Sequence, residues 1–196
     1  MIASDLFDVR SPRGFDVVSP PIGWAQAAIS IDERELLVVA DAMLTSFDGY
    51  PGRRFGGPLA SGAELKDLAE RWVGRRGAKP LRRTAERARA GSESPGESRT
   101  RFVMLEAGFP EPIPNHWVLL EEDRRARTDL AYPELRIAIE YQGEYHFSPE
   151  QVIDDLERIR ELRLMGWIVI LVTKRDIRNP GAFLAELRAA LAARGA

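Results

Sequence analysis

Asp129 and Glu140, with Gln142 and His146 close behind, are the residues of this chain best placed to do chemistry together. From Leu135 to Tyr141 apolar and polar side chains alternate, the period-two pattern of a strand. Ile137, Ile139 and Tyr141 take one face; Ala138, Glu140 and Gln142 take the other. Tyr132, Pro133, Glu134 and Leu135 signal a turn, because proline presets one torsion and cannot donate to a ladder. A hairpin closed over Pro133 and Glu134 pairs Tyr132 with Leu135 and Asp129 with Ala138. Asp129 then shares a face with Glu140 on the diagonal, with Cα atoms roughly 7–8 Å apart. From that range both carboxylates reach one cation whose oxygen ligands sit at about 2.1 Å. A loop one residue longer turns Asp129 to the other face.

An acid on a mostly apolar strand needs a reason, since carboxylates are seldom buried without partners. A half-exposed edge, with Glu140 facing water or paired to Arg136 or Arg127, is one account. The second acid, the amide and the histidine in the same short region favour another, a site for phosphodiester hydrolysis with magnesium or manganese. That chemistry needs carboxylates to fix the ion, a polarised water and a proton acceptor or donor. Asp129 and Glu140 meet the first requirement, and Gln142 points the same way and can orient a water. Histidine as a residue type titrates near neutrality, so His146 suits general acid or base work. His116 has no such company and is expected to be structural.

Two readings fit Glu97. With Ser94 and Pro95 it forms a capping box at a helix start; a glutamate in that first turn can also face the sheet as a third carboxylate. Arg101 lies one turn later, within reach of it. Asp155 and Arg158 fall on the helix after the acidic strand. There Arg158 sits at the edge of the apolar stripe and can grip a phosphate in bidentate fashion.

Composition narrows the options. The chain has 196 residues, no cysteine and two histidines, His116 and His146. Disulfide staples, thiolate zinc sites, cysteine nucleophiles and multi-histidine zinc centres are therefore excluded, and any metal is a hard cation held by oxygen. The first residues carry neither a basic start nor a long apolar run, so no signal peptide is expected. The apolar run from Trp167 to Val172 is too short to cross a bilayer. A cytoplasmic location follows as the default. Net charge is −2, which hides an asymmetry. Between Arg71 and Arg89 eight basic residues face one acid, Glu86. That cluster, with Lys79, Arg82 and Arg83 at its centre, suits the phosphates of a nucleic acid or forms a solvated helix face.

The elements that must position these groups can be read in order. Residues 15–22 look extended and end in prolines. Helices follow from Trp24 to Ile29 and from Asp32 to Leu44, then a Gly/Pro-rich loop from Phe47 to Ala60. Ser61 caps a helix carrying Leu65, Leu68 and Trp72, and a basic helix runs from about Leu81 to Ala90. The stretch from Gly91 to Gly96 is the clearest boundary, dividing a helical segment (residues 1–90) from a second domain (91–196). That domain reads as a helix to Ala107, an extended segment near His116–Glu121, strands near Arg125–Tyr132 and Leu135–Gln142, a helix from Pro149 to Met165, a strand from Trp167 to Thr173 and a last helix from Pro180. Val152, Leu156, Ile159 and Leu162 form the apolar stripe of the Pro149 helix, and Gly166 stops it. The result is an α/β fold, a mixed sheet flanked by helices. The last strand lies parallel to the Glu140 strand through a right-handed crossover.

The ordered set Ser94, Glu97, Asp129, Glu140, Gln142, Gly143, His146, Asp155, Arg158, Gly166 and Trp167 resembles the small PD-(D/E)XK nuclease-like domains related to the very-short-patch mismatch-repair endonuclease. The resemblance spans about Gly91 to Pro180. In actinobacteria such domains often follow a winged helix in proteins described as type IV, abortive-infection-like antitoxins, and the preceding helical part resembles their middle segment. It implies a restriction-endonuclease-like sheet, with Asp129 and Glu140 as ligands of Mg2+ or Mn2+ and Glu97 completing the acidic cluster. DNA is the implied substrate. Gln142 stands where the superfamily carries a lysine, and it cannot supply that positive charge; the mismatch-repair branch also lacks the lysine and uses histidine chemistry. No winged helix precedes Asp5, so the chain stands as a short form or a fragment of the longer arrangement. The alternative is a DNA-binding or antitoxin-type regulator that keeps the nuclease fold without catalysis. A third reading is a module that docks a toxin or other protein partner.

Overall fold

The computed structural model describes residues 9–10, 14–46, 56–120, 124–143 and 149–196, which divide into two compact units at Pro95–Gly96. The first unit opens on a two-stranded ribbon, β1 (Val9–Arg10) and β2 (Val17–Val18), paired antiparallel. Helices α1 (Pro20–Ala27), α2 (Glu33–Leu44), α3 (Gly62–Arg71) and α4 (Ala78–Arg87) follow. The prolines at 20 and 21 start α1 instead of ending an extended segment. Their fixed φ suits the first helical turn, where the missing N–H has no intrahelical partner anyway. Asp32 caps α2 by accepting from the Glu35 amide, and Ser61 with Glu64 forms a full capping box on α3. Trp24, Leu36, Leu37, Leu65 and Leu81 are buried in this unit. The indole of Trp24 donates to the Leu36 carbonyl at 2.9 Å, satisfying the polar end of a buried ring.

The second unit holds α5 (Pro95–Glu106), β3 (Ile113–Leu119), β4 (Arg125–Tyr132), β5 (Ile137–Gln142), α6 (Pro149–Leu164), β6 (Ile168–Thr173), α7 (Lys174–Arg178) and α8 (Gly181–Ala193). Its four strands run in the order β3-β4-β5-β6, antiparallel except for the parallel pair β5 and β6. The fold is the expected α/β arrangement, a mixed sheet flanked by helices. One face of the sheet packs Leu130, Tyr132, Ile137, Ile139, Ile170 and Val172 with Met104 of α5 and Phe183 and Leu187 of α8. The other packs Ala131, Ala138 and Val169 with Ile159 and Leu162 of α6. A continuous apolar strand suggests cover on both faces, yet β6 lies at the sheet edge and leaves Leu171 exposed. The short α7, started by a Thr173–Asp176 capping box, has no hydrophobic period of its own in the sequence.

The α6 stripe differs from its sequence reading. Ile159 and Leu162 are buried as expected, whereas Val152 and Leu156, two turns and one turn earlier, stay exposed. Of this stripe, Ile159 and Leu162 in the second half of the helix reach the core.

Candidate active site

The hairpin that carries the two acids closes differently from its turn signal. Pro133–Leu135 forms a 3-10 turn and Arg136 adopts a left-handed conformation, φ 49°. The pairs are Tyr132 with Ile137, Ala131 with Ala138 and Leu130 with Ile139. The loop is thus two residues longer than expected. An even change keeps side chains on their faces, so Asp129 falls directly opposite Glu140 and not on the diagonal.

Both neighbouring ladders lapse at Asp129. The pairs between β3 and β4 pass over Asn115 and Asp129, where Asn115 has φ 49°, and the pairs between β4 and β5 stop at Leu130. The Asp129 carboxylate takes over the missing acceptor role: its Oδ2 receives the Tyr141 amide at 2.7 Å. That bond fixes the carboxylate beside Glu140. The Tyr141 ring lies on the opposite face of the sheet against α5, where a Cβ on Gly96 would stand 2.0 Å from its Cε1. Only glycine fits there, a requirement that the sequence reading missed.

Glu140 is 1% exposed. Its partner is neither Arg136 nor Arg127 but Arg158 of α6, whose Nη1 lies 3.0 Å from Oε2. The same guanidinium donates to the Arg127 carbonyl at 3.0 Å and to Asp155 Oδ1. Asp155 Oδ2 accepts from the Gln142 side-chain amide at 3.4 Å, a long bond that aims Gln142 toward the cleft. Oε1 of Glu140 has no hydrogen-bond partner among the described residues. A buried carboxylate oxygen left in this way is costly. Burial pushes the Glu140 carboxyl up to about 7, the Asp129 charge adds to that rise, and Arg158 opposes it. Burial also raises Asp129, against the Tyr141 amide bond and Arg158.

These groups line a cleft of about 490 Å3 with Tyr141, Val152, Asp154 and Leu156. Among the described residues, four carboxylates (Asp129, Glu140, Asp154, Asp155) face it against one guanidinium, Arg158. The excess of negative charge, the side-by-side acids and the partnerless Oε1 fit a divalent cation held by Asp129 and Glu140. No set of three or more His, Asp or Glu side chains gathers as a metal cluster among the described residues. Glu97 is buried in the first turn of α5, with the Asn115 side-chain amide 3.5 Å from its Oε2. His146 lies outside the described residues. His116 sits on β3 with its ring 6.2 Å from that of Trp167.

In the first unit, Arg83 forms a two-pronged ion pair with Glu33 of α2, at 2.8 and 3.0 Å from Nε. Lys79 and Arg82 line a separate cleft with Arg75, Val73, Gly77 and Pro80. Arg75 rests over the Trp72 ring, 5.5 Å from its centroid.

Fold and site together define a two-unit α/β protein with a carboxylate-lined cleft at the junction of β4, β5 and α6. The chain is 30% identical over 127 residues to two curated proteins of Mycobacterium tuberculosis, "Uncharacterized protein MT2308" of strain CDC 1551 / Oshkosh and "Uncharacterized protein Rv2248" of strain ATCC 25618 / H37Rv. The match takes in 64% of this chain and 47% of each relative, so the chain spans about half the length of the curated relatives it matches. No family model matches the sequence, and no solved structure matches the fold. Among the described residues, no helix is long and apolar enough to cross a membrane.

Proposed function

We propose that this protein is a magnesium- or manganese-dependent endonuclease that hydrolyses phosphodiester bonds in DNA. The observation that carries the reading is the meeting of Asp129 and Glu140 in one cleft, with one Glu140 oxygen buried and without a partner among the described residues. The resemblance to PD-(D/E)XK nuclease-like domains of the very-short-patch type supports the same chemistry.

Asp129 and Glu140 would hold the cation, which supplies Lewis acidity at the phosphoryl group and a more acidic water. The Tyr141 amide keeps Asp129 in place, and the β5 backbone keeps Glu140 facing it. Gln142, steadied by Asp155, hydrogen-bonds and orients a water; as an uncharged amide it takes no proton. Arg158 offers guanidinium N–H groups to a phosphate oxygen at the cleft mouth, in the planar fork that suits phosphate. The described acids around the cleft repel a polyanion, so DNA entry should depend on the cation. Lys79 and Arg82 of the first unit add sequence-independent attraction for the backbone; Arg83, engaged with Glu33, adds less.

One observation favours a second reading, the non-catalytic DNA-binding or antitoxin-type regulator. Arg158 already neutralises Glu140, and Gln142 brings no positive charge. A single assay separates the two. Supercoiled plasmid incubated with Mn2+ or Mg2+ should be nicked by the wild-type protein and not by Asp129→Ala. Salt-sensitive DNA binding with no nicking under either ion, and binding indifferent to Asp129→Ala, would select the regulator.

A further inference from the structure

The α6 side of the cleft sets two apolar side chains, Val152 and Leu156, among Asp154, Asp155 and Arg158. Val152 and Leu156 are one helical turn apart on α6, 44% and 60% exposed, and both line the cavity with Asp155 between them. Core packing does not explain these side chains, because the same stripe enters the core only at Ile159 and Leu162. Apolar groups on a cleft wall beside a few convergent polar ones are the signature of a ligand site. The ligand must present an apolar face and, a short distance away, an anionic group that a cation and Arg158 can hold.

We propose that the cleft seats one unpaired nucleotide of single-stranded DNA, its base and sugar against Val152 and Leu156 and its phosphate toward Asp129, Glu140 and Arg158. The inference rests on the phosphodiesterase reading and names the substrate class for it. A base stacked within a duplex turns both faces to its neighbours and has none free for Val152 and Leu156. An enzyme that packs side chains on a base must take a strand already single or pull the base out of the stack. The cleft, at about 490 Å3, has the volume of a small-ligand site.

The test compares a fluorescein-labelled single-stranded oligonucleotide with the same strand in a duplex. Anisotropy measured with Ca2+ gives binding, and initial rates with Mn2+ give cleavage. Wild type should bind and cut the single strand at least about tenfold better, a difference of about 1.4 kcal/mol that covering two exposed aliphatic side chains can supply. The double variant Val152→Ser/Leu156→Ser should lose about tenfold in single-strand affinity while its Mn2+ affinity stays unchanged. Both residues are surface-exposed, so the variant should fold. Equal binding of the two DNA forms, or a double variant that binds single strands as wild type does, would overturn the inference and leave the nuclease reading standing. A wild-type protein that binds Mn2+ yet neither binds nor cuts any DNA would overturn both.

Discussion

Replacing Glu140 with glutamine will raise the stability of the cation-free protein above pH 7 and abolish cation-dependent cleavage. The two effects share one cause. Burial and the neighbouring Asp129 carboxylate lift the Glu140 carboxyl from its ordinary 4.5 to about 7. The folded protein therefore holds this proton more tightly than the unfolded chain does. Stability is greatest while both states are protonated. It falls as pH rises from about 4.5 to about 7, where the folded state must give the proton up, and stays low above that. The loss is on the order of 3 kcal/mol, and Asp129, shifted the same way, adds to it. Glutamine removes this charge and keeps the shape. Its melting temperature should then change little between acid and neutral pH and should exceed that of wild type near pH 8. Cleavage should drop at least about a thousandfold, since the cation's stabilisation of developing charge is worth several kcal/mol. Melting curves across pH, paired with plasmid nicking, check both halves. A variant less stable than wild type near pH 8 would show that the carboxylate is a structural asset and not a group kept for function.

Removing the guanidinium has the opposite sign. Arg158→Met takes away the counter-charge of Glu140 and Asp155 and leaves the buried Glu140 carboxylate with no opposing charge. Breaking a buried pair from one side typically costs 3–5 kcal/mol; Arg158 is partly exposed, so about 3 kcal/mol is expected near pH 8. Near pH 5 Glu140 takes up a proton and most of that loss should disappear. Urea unfolding at the two pH values measures the difference directly. Equal destabilisation at both would assign the role of Arg158 to packing of its stem and to its bond with the Arg127 carbonyl.

Much of this site is legible in the sequence because strand alternation constrains it so strongly. Once β5 is recognised, Glu140 and Gln142 must share a face opposite Ile139 and Tyr141. The hairpin register was harder to read. Pro133 and Glu134 look like a two-residue turn, and nothing local announces that Leu135 and Arg136 extend it. Parity preserved the conclusion despite that error. The break in both ladders at Asp129 has no sequence signature, and the left-handed Asn115 opposite it on β3 has none either. Gly96 looks like part of a flexible boundary; its reason is the Tyr141 ring, a contact distant in sequence. Val152 and Leu156 fit the helical period of the apolar stripe yet stay exposed. Periodicity shows which residues share a face and not how far the opposing sheet extends. The Arg158–Glu140 pair likewise depends on how α6 returns over β5.

Direct titration of the cation-free protein with Mn2+ by calorimetry tests the central claim most simply. The account predicts a single site per chain that weakens as pH falls below about 7, where Glu140 is protonated, and that vanishes in both Asp129→Asn and Glu140→Gln. Absence of binding in the wild type, or a site that survives both substitutions, would contradict it.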